Sequence, residues 1–110
     1  MKFQKVDSAD EITKYKNSHK VTVLKMSAPW CGPCKALEKQ LKGMYSDYSD
    51  DDVIVLECNI DDNEELANDY NVSSIPHVVF FYDGKLQDLG VKGAHLDKIK
   101  KMINDGLGVE

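Results

Sequence analysis

Residues 78–82 read VVFFY, apolar or aromatic at every position. Successive side chains of a strand point to opposite faces, so a strand of this composition is apolar on both sides and has to be covered on both. A sheet with one wet face is thereby excluded for this segment. Two further runs of strand length, VTVLKM (Val21 to Met26) and VIVLEC (Val53 to Cys58), are the candidates for its neighbours.

The segments between these runs carry helical periodicity. After a short strand over Phe3 to Val6, Ser8-Ala-Asp-Glu11 reads as a capping box that opens a helix presenting Ile12 and Tyr15 to the core. Cys34, Leu37, Leu41, Met44, Tyr45 and Tyr48 recur at spacings of three and four, which predicts one face of a long helix. Leu66, Ala67 and Tyr70 mark a shorter helix over Asn63 to Tyr70. Asp83-Gly84 supplies a hairpin turn, with Leu86 to Val91 returning beside the VVFFY strand. Leu96, Ile99, Met102 and Ile103 make a last helix, stopped at Gly106. The order is βαβαβα followed by ββα. This is an α/β chain with a mostly parallel central sheet, a C-terminal antiparallel hairpin and helices on both faces. At 110 residues it is expected to be one domain, 1–110, burying roughly two-thirds of its unfolded surface.

Composition narrows the function classes. The net charge is −5, there is no arginine, and the 14 basic residues form no run. Arginine is the preferred reader of phosphates and base edges, so nucleic-acid binding is not expected. No apolar stretch approaches the ~20 residues that span a bilayer. The opening MKFQKVDSADE turns acidic and has no apolar h-region, so the expected compartment is the cytosol, where lasting disulfides are rare.

Against that background, Ser27-Ala-Pro-Trp-Cys31-Gly-Pro-Cys34-Lys35 places two of the three cysteines two residues apart, between a strand and a helix. Pro33 fits a first helical turn, where the amide it lacks would have no partner. Cys31 then lies at the helix mouth, where free N–H groups and the positive dipole end stabilise an anion and lower a thiol's pKa. Cys34, one turn on, can face it. Geometry gives Cys31 the attacking role and Cys34 the resolving one. A zinc site would need two more ligands, and beside Cys58, His19, His77 and His95 there is no second C-x-x-C or H-x-x-x-H pair. No metal is expected. Cys58 reads as a small buried hydrophobe.

Trp30-Cys31-Gly32-Pro33-Cys34-Lys35 resembles the active-site motif of the thioredoxin family, and C-x-x-C beside a βαβ pattern is the general mark of that fold. Asn59-Ile60-Asp61, Ile75-Pro76, Asp83-Gly84 and Gly93 stand at similar spacings, so the likeness runs over essentially the whole chain. It implies a thioredoxin fold, with Trp30, Gly32 and Pro33 shaping the active-site loop. It implies a cis-proline at Ile75-Pro76 opposite the cysteines, and an apolar substrate rim of Trp30, Ile75, Pro76 and Gly93. For Ile75 and Gly93 the alternative is ordinary packing and turn formation. The resemblance further implies reduction of protein disulfides by dithiol–disulfide exchange, with no bound cofactor beyond the redox-active Cys31–Cys34 pair. A thioredoxin reductase would recharge that pair, and substrates would include disulfide proteins such as peroxiredoxin or ribonucleotide reductase. The chain is expected to be a monomer.

One departure stands out. Lys25 and Glu57 occupy the same relative place in two strand runs, so in neighbouring central strands they should face each other under the cysteines. The family usually has a buried aspartate at the place of Lys25 and often a lysine at that of Glu57, so the signs are exchanged. Since that aspartate is associated with moving the resolving cysteine's proton, Glu57 is a candidate to take over the work. The other reading is a pair of strand-end charges reaching solvent. His77 after Pro76 could tune the thiols or be hydrogen-bonded structure.

Two other functions compete with the reductase. A more oxidising isomerase or oxidase is one, for which Lys25 speaks and Gly32-Pro33 does not. A non-catalytic docking subunit of a larger enzyme, using the Trp30–Ile75–Gly93 face, is the other.

Overall fold

The structure is a computed structural model, and it describes residues 1–109. Its elements run β1 (Lys2–Lys5), α1 (Ala9–Lys16), β2 (Val21–Ser27), α2 (Gly32–Gly43), β3 (Val53–Asn59), α3 (Glu64–Asp69), β4 (His77–Tyr82), β5 (Lys85–Leu86), β6 (Val91–Lys92) and α4 (Leu96–Leu107). The six-stranded sheet is ordered β1-β3-β2-β4-β5, with β6 also on β4. β1, β3 and β2 are mutually parallel, and β4 runs antiparallel to β2.

Alternation along the strands divides the interior in two. Val21, Val23, Val53, Val55, Val78 and Phe80 face α2 and α4, where Leu37, Leu41, Ile99 and Ile103 meet them. Leu24, Met26, Ile54, Leu56, Val79 and Phe81 face α1 and α3, meeting Ile12 and Leu66. The doubly apolar VVFFY strand is central and buried, as a strand covered on both sides must be.

Local chemistry sets the ends. Ser8 caps α1 by accepting the Glu11 N–H at 3.2 Å, and the Glu11 carboxylate accepts the Asp7 N–H at 2.9 Å, a box displaced by one residue. Asp83 and Gly84 both take positive φ, 50° and 84°, the pairing a two-residue hairpin turn demands.

Three sequence expectations are corrected. The long helix over Cys34 to Tyr48 ends at Gly43, a weak helix former, and a 3₁₀ turn over Tyr45–Asp47 follows. Tyr45 leaves the core stripe and is exposed, whereas Tyr48 still reaches α4 through its hydroxyl bond to Asn104 at 2.8 Å. The returning strand over Leu86 to Val91 is broken into the two-residue strands β5 and β6. Between them the chain presses onto β4 so closely that a Cβ at Gly90 would lie 2.6 Å from the Val78 carbonyl oxygen, and Leu89 faces solvent.

Gly106 does not stop α4; it lies inside it, and Gly108 at φ 75° makes the C-terminal cap. The glycine is there for space. A Cβ at Gly106 would meet the Tyr82 ring at 2.5 Å and Val21 Cγ2 at 2.6 Å. Gly106→Ala should therefore destabilise the protein by about 2 kcal/mol in urea unfolding, overpacking outweighing the gain in helix propensity. A stabilised variant would show that α4 is free to move off the sheet.

Candidate active site

β2 ends at Ser27, and the short segment Ala28–Trp30 delivers Cys31 to the start of α2. Cys31 is the N-cap residue, with extended backbone (φ −87°, ψ 110°), and Pro33 sits in the first helical turn. The Cys34 N–H points at Cys31 Sγ at 3.2 Å. Cys31 and Cys34 are joined as a disulfide with Cα atoms 5.2 Å apart. One N–H that the helix start leaves free thus points at the first sulfur, the arrangement that favours its thiolate once the bond is reduced. Both cysteines are buried, Cys34 at 2% exposure and Cys31 at 5%. Ala28, Ile60 and Ile75 pack around them.

The remaining sequence candidates gather nearby. Ile75-Pro76 is a cis peptide bond. The Pro76 carbonyl accepts the Gly93 N–H at 2.8 Å, tying the segment before α4 to the proline loop. Gly93 has φ 96°, and a Cβ there would lie 2.9 Å from the His95 ring, so only glycine fits. Trp30 is 68% exposed and is held by its indole N–H to Asp61 at 2.8 Å.

Lys25 and Glu57 are register partners on β2 and β3. The Lys25 ammonium is 3.3 Å from Glu57 Oε1 and 3.2 Å from Oε2. Lys25 is buried at 1% exposure and the Glu57 side chain is open at 35%. A cleft of about 370 Å³ reaches both of them as well as Ser27 and Cys34. The charges therefore share one opening with the resolving cysteine.

Sequence reasoning passed over two contributors. Asp61 orients Trp30 from the loop after β3. Ser27 donates its hydroxyl to Glu57 Oε1 at 2.7 Å. The signal for Ser27 was its place two residues after Lys25, which puts both on one face of the strand.

Cys58 is fully buried on the α1/α3 side, away from this cluster, and burial pushes its thiol up to about 11. His77 is 7% exposed, its Nδ1 has no partner, and burial together with nearby Lys92 holds its pKa below the ordinary 6.5. Among the described residues no three His, Cys, Asp or Glu side chains gather as a metal site, and no helix is long and apolar enough to cross a membrane.

The His77 environment fixes a sign. The unfolded chain binds this proton more tightly than the folded one, so the stability present above pH 6.5 is lost as pH falls below it. His77→Leu should lose stability less steeply than the parent when urea unfolding is followed through that region. Parallel slopes would rule the histidine out as a contributor.

The sequence model of the Thioredoxin family matches residues 2–105. Thioredoxin-T of Drosophila melanogaster is 40% identical over 90 residues, covering 82% of this chain and 56% of the fly protein. The chain spans a little over half the length of the first curated relatives it matches, 56–58%. Among solved structures, oxidised mitochondrial thioredoxin 3 of Saccharomyces cerevisiae is similar over 94% of each chain, at 27% identity and a TM-score of 0.84. A second structure, reported for the thiol resolving mechanism of a yeast mitochondrial 1-Cys peroxiredoxin via glutathione/thioredoxin systems, has 26% identity over 94% of each chain and a TM-score of 0.83.

Proposed function

We propose, since this chain belongs to the thioredoxin family, that it acts as a cytosolic, monomeric reductase of protein disulfides. The observation that carries the reading is Cys31 at the mouth of α2, taking the Cys34 N–H on its sulfur and paired with Cys34 itself. Cys31 thiolate attacks one sulfur of a substrate disulfide and forms a mixed disulfide. Cys34 then attacks Cys31, the reduced substrate leaves, and the Cys31–Cys34 bond remains. A flavin-dependent thioredoxin reductase would return the two electrons.

The apolar rim around Cys31 would hold the substrate. Trp30 offers an exposed ring, Ile75 and Pro76 a loop against the sulfurs, and Gly93 the clearance beside them. No backbone hydrogen bond engages the Ile75 N–H or carbonyl among the described residues, which suits pairing with an extended substrate segment. The neighbour studied with a 1-Cys peroxiredoxin makes peroxiredoxin-type disulfides a natural first substrate class. A cycling dithiol in a chain that also keeps Cys58 free, buried on the α1/α3 side, suits a reducing compartment.

Glu57 is assigned the proton of Cys34. It opens on the same cleft and is the carboxylate paired to the buried Lys25. The same buried cation favours a second reading, a more oxidising protein, because positive charge stabilises the reduced thiolate. A reduction potential near about −270 mV supports the reductase and one near about −180 mV the isomerase-like alternative.

The test is insulin reduction with dithiothreitol as donor. The protein should accelerate precipitation well beyond dithiothreitol alone, Cys31→Ser should abolish the effect, and Cys34→Ser should stall as a trapped mixed disulfide. No acceleration by the parent protein would sink the assignment. In single-turnover resolution of a mixed disulfide, Glu57→Gln should slow the second step by about a hundredfold at neutral pH. The double variant Lys25→Met,Glu57→Gln removes the unpaired buried cation as a cause and should remain equally slow.

A further inference from the structure

We propose that Ser27 is a positioning residue for the resolving step: its hydroxyl fixes the Glu57 carboxylate so that Oε2 is the oxygen that takes the Cys34 proton. The proposal rests on the assignment of Glu57 made above. Ser27 is 3% exposed, which limits competition from bulk water for its hydroxyl. Its 2.7 Å bond to Oε1 is the shortest that carboxylate makes with a side chain. Lys25 straddles both oxygens at 3.3 and 3.2 Å, a looser grip from a single ammonium. Oε1 thus accepts two donors and Oε2 only one, which leaves Oε2 the freer to accept another.

The need for such a clamp follows from exposure. The Glu57 side chain is 35% open to solvent, while its partner Lys25 is 1% exposed. A carboxylate free to swing into water would abandon a buried ammonium and move away from Cys34. Lys25 alone does not choose between the two oxygens, because it touches both. Ser27 does choose. Its bond comes from the strand that ends at the cysteine loop, so the carboxylate is referenced to the backbone that also places Cys31.

The charges around Glu57 come from three sides. Lys25 faces it from β2, Lys5 from the register position on β1, and Lys35 and Glu38 line the same cleft from α2 together with Cys34. Three of these charges are positive and Glu38 is negative; the hydroxyl adds direction. The cleft of about 370 Å³ has room for water, so the proton passes from sulfur to Oε2 directly or across one molecule.

In the step itself Cys34 gives its proton to Glu57 and its thiolate attacks Cys31 Sγ. The Cys31–Cys34 bond forms as the bond from Cys31 to the substrate sulfur breaks, and the substrate leaves as a thiolate. Two electrons pass from the dithiol to the substrate over the whole cycle, and the proton on Glu57 goes to the departing thiolate or to water.

The experiment mixes the reduced full chain with an equimolar aromatic disulfide whose two halves are released as coloured thiolates, followed by stopped flow across pH. The first release reports attack by Cys31 and the second reports Cys34. Ser27→Ala should slow the second release about tenfold at neutral pH and move its acid limb up by about one pH unit, the effect of losing one hydrogen bond to a charged group. The first release should keep its rate, and Ser27→Thr, which retains the hydroxyl, should restore the second. A second release unchanged in rate and pH profile overturns the proposal, as does an equal slowing of both releases. Glu57→Gln separates the two assignments. Should that variant keep the acid limb, the role of Glu57 falls and that of Ser27 with it. Should it abolish the limb while Ser27→Ala leaves it unmoved, only Ser27 falls.

Discussion

The parallel pairing of β2 with β3 places the chemistry, because seven consecutive register pairs, from Val21 with Val53 to Ser27 with Asn59, run straight into the active-site loop. Lys25 lies beside Glu57 as the fifth rung of that ladder. One bond beyond it, the Ile60 N–H donates to the Ser27 carbonyl at 2.9 Å, so the pairing continues to the point where β2 gives way to the cysteines. A slip of β2 by one residue would turn Lys25 and Ser27 to the opposite face, away from Glu57 and into the α1/α3 core. It would also place Leu24 under Cys34. The alternation that buries Val23 and Val55 against α2 is thus the same alternation that brings the charged pair to the cleft.

That pair is hard to explain as a device for stability. Replacing a buried ion pair by packed apolar groups is commonly neutral or stabilising, whereas removing one partner costs about 3–5 kcal/mol. Lys25 sits between Leu24 and Met26 in a strand buried along its length, where an apolar residue would satisfy the core. A half-open carboxylate on the resolving-cysteine side, held by an ammonium and a hydroxyl, instead has the form of a group kept ready for a proton.

Features that rest on local periodicity were legible in the sequence. VVFFY declared a strand covered on both sides, and the placement of Pro33 after Cys31 declared a helix mouth. The equal offset of Lys25 and Glu57 within their runs was enough to pair them, since parallel neighbours in register share offsets. Features that depend on distant chain were not legible. Gly106 reads as a stop because its local chemistry is that of a stop, and only the Tyr82 ring, from another element, explains why it is interior. The strand over Leu86 to Val91 is interrupted, and Gly90 within it lies where a Cβ would meet the Val78 carbonyl, an approach with no sequence mark beyond the glycine. For Ser27 the sequence offered only its place two residues after Lys25, because a hydroxyl's partner is set by tertiary geometry.

The antiparallel course of β4 explains why three remote segments form one rim. Since β4 runs against β2, its first residue, His77, pairs with Met26 near the end of β2, and on its other edge His77 pairs with Lys92. The residues just outside that row are Ser27 and Ala28 before the cysteines, the cis Ile75-Pro76 bond, and Gly93. A parallel β4 would have carried the proline loop to the far end of the sheet, leaving Cys31 with a helix mouth but no backbone facing it. The row 26–77–92 therefore sets the cis-proline loop and Gly93 beside the mouth of α2 through the direction of one strand.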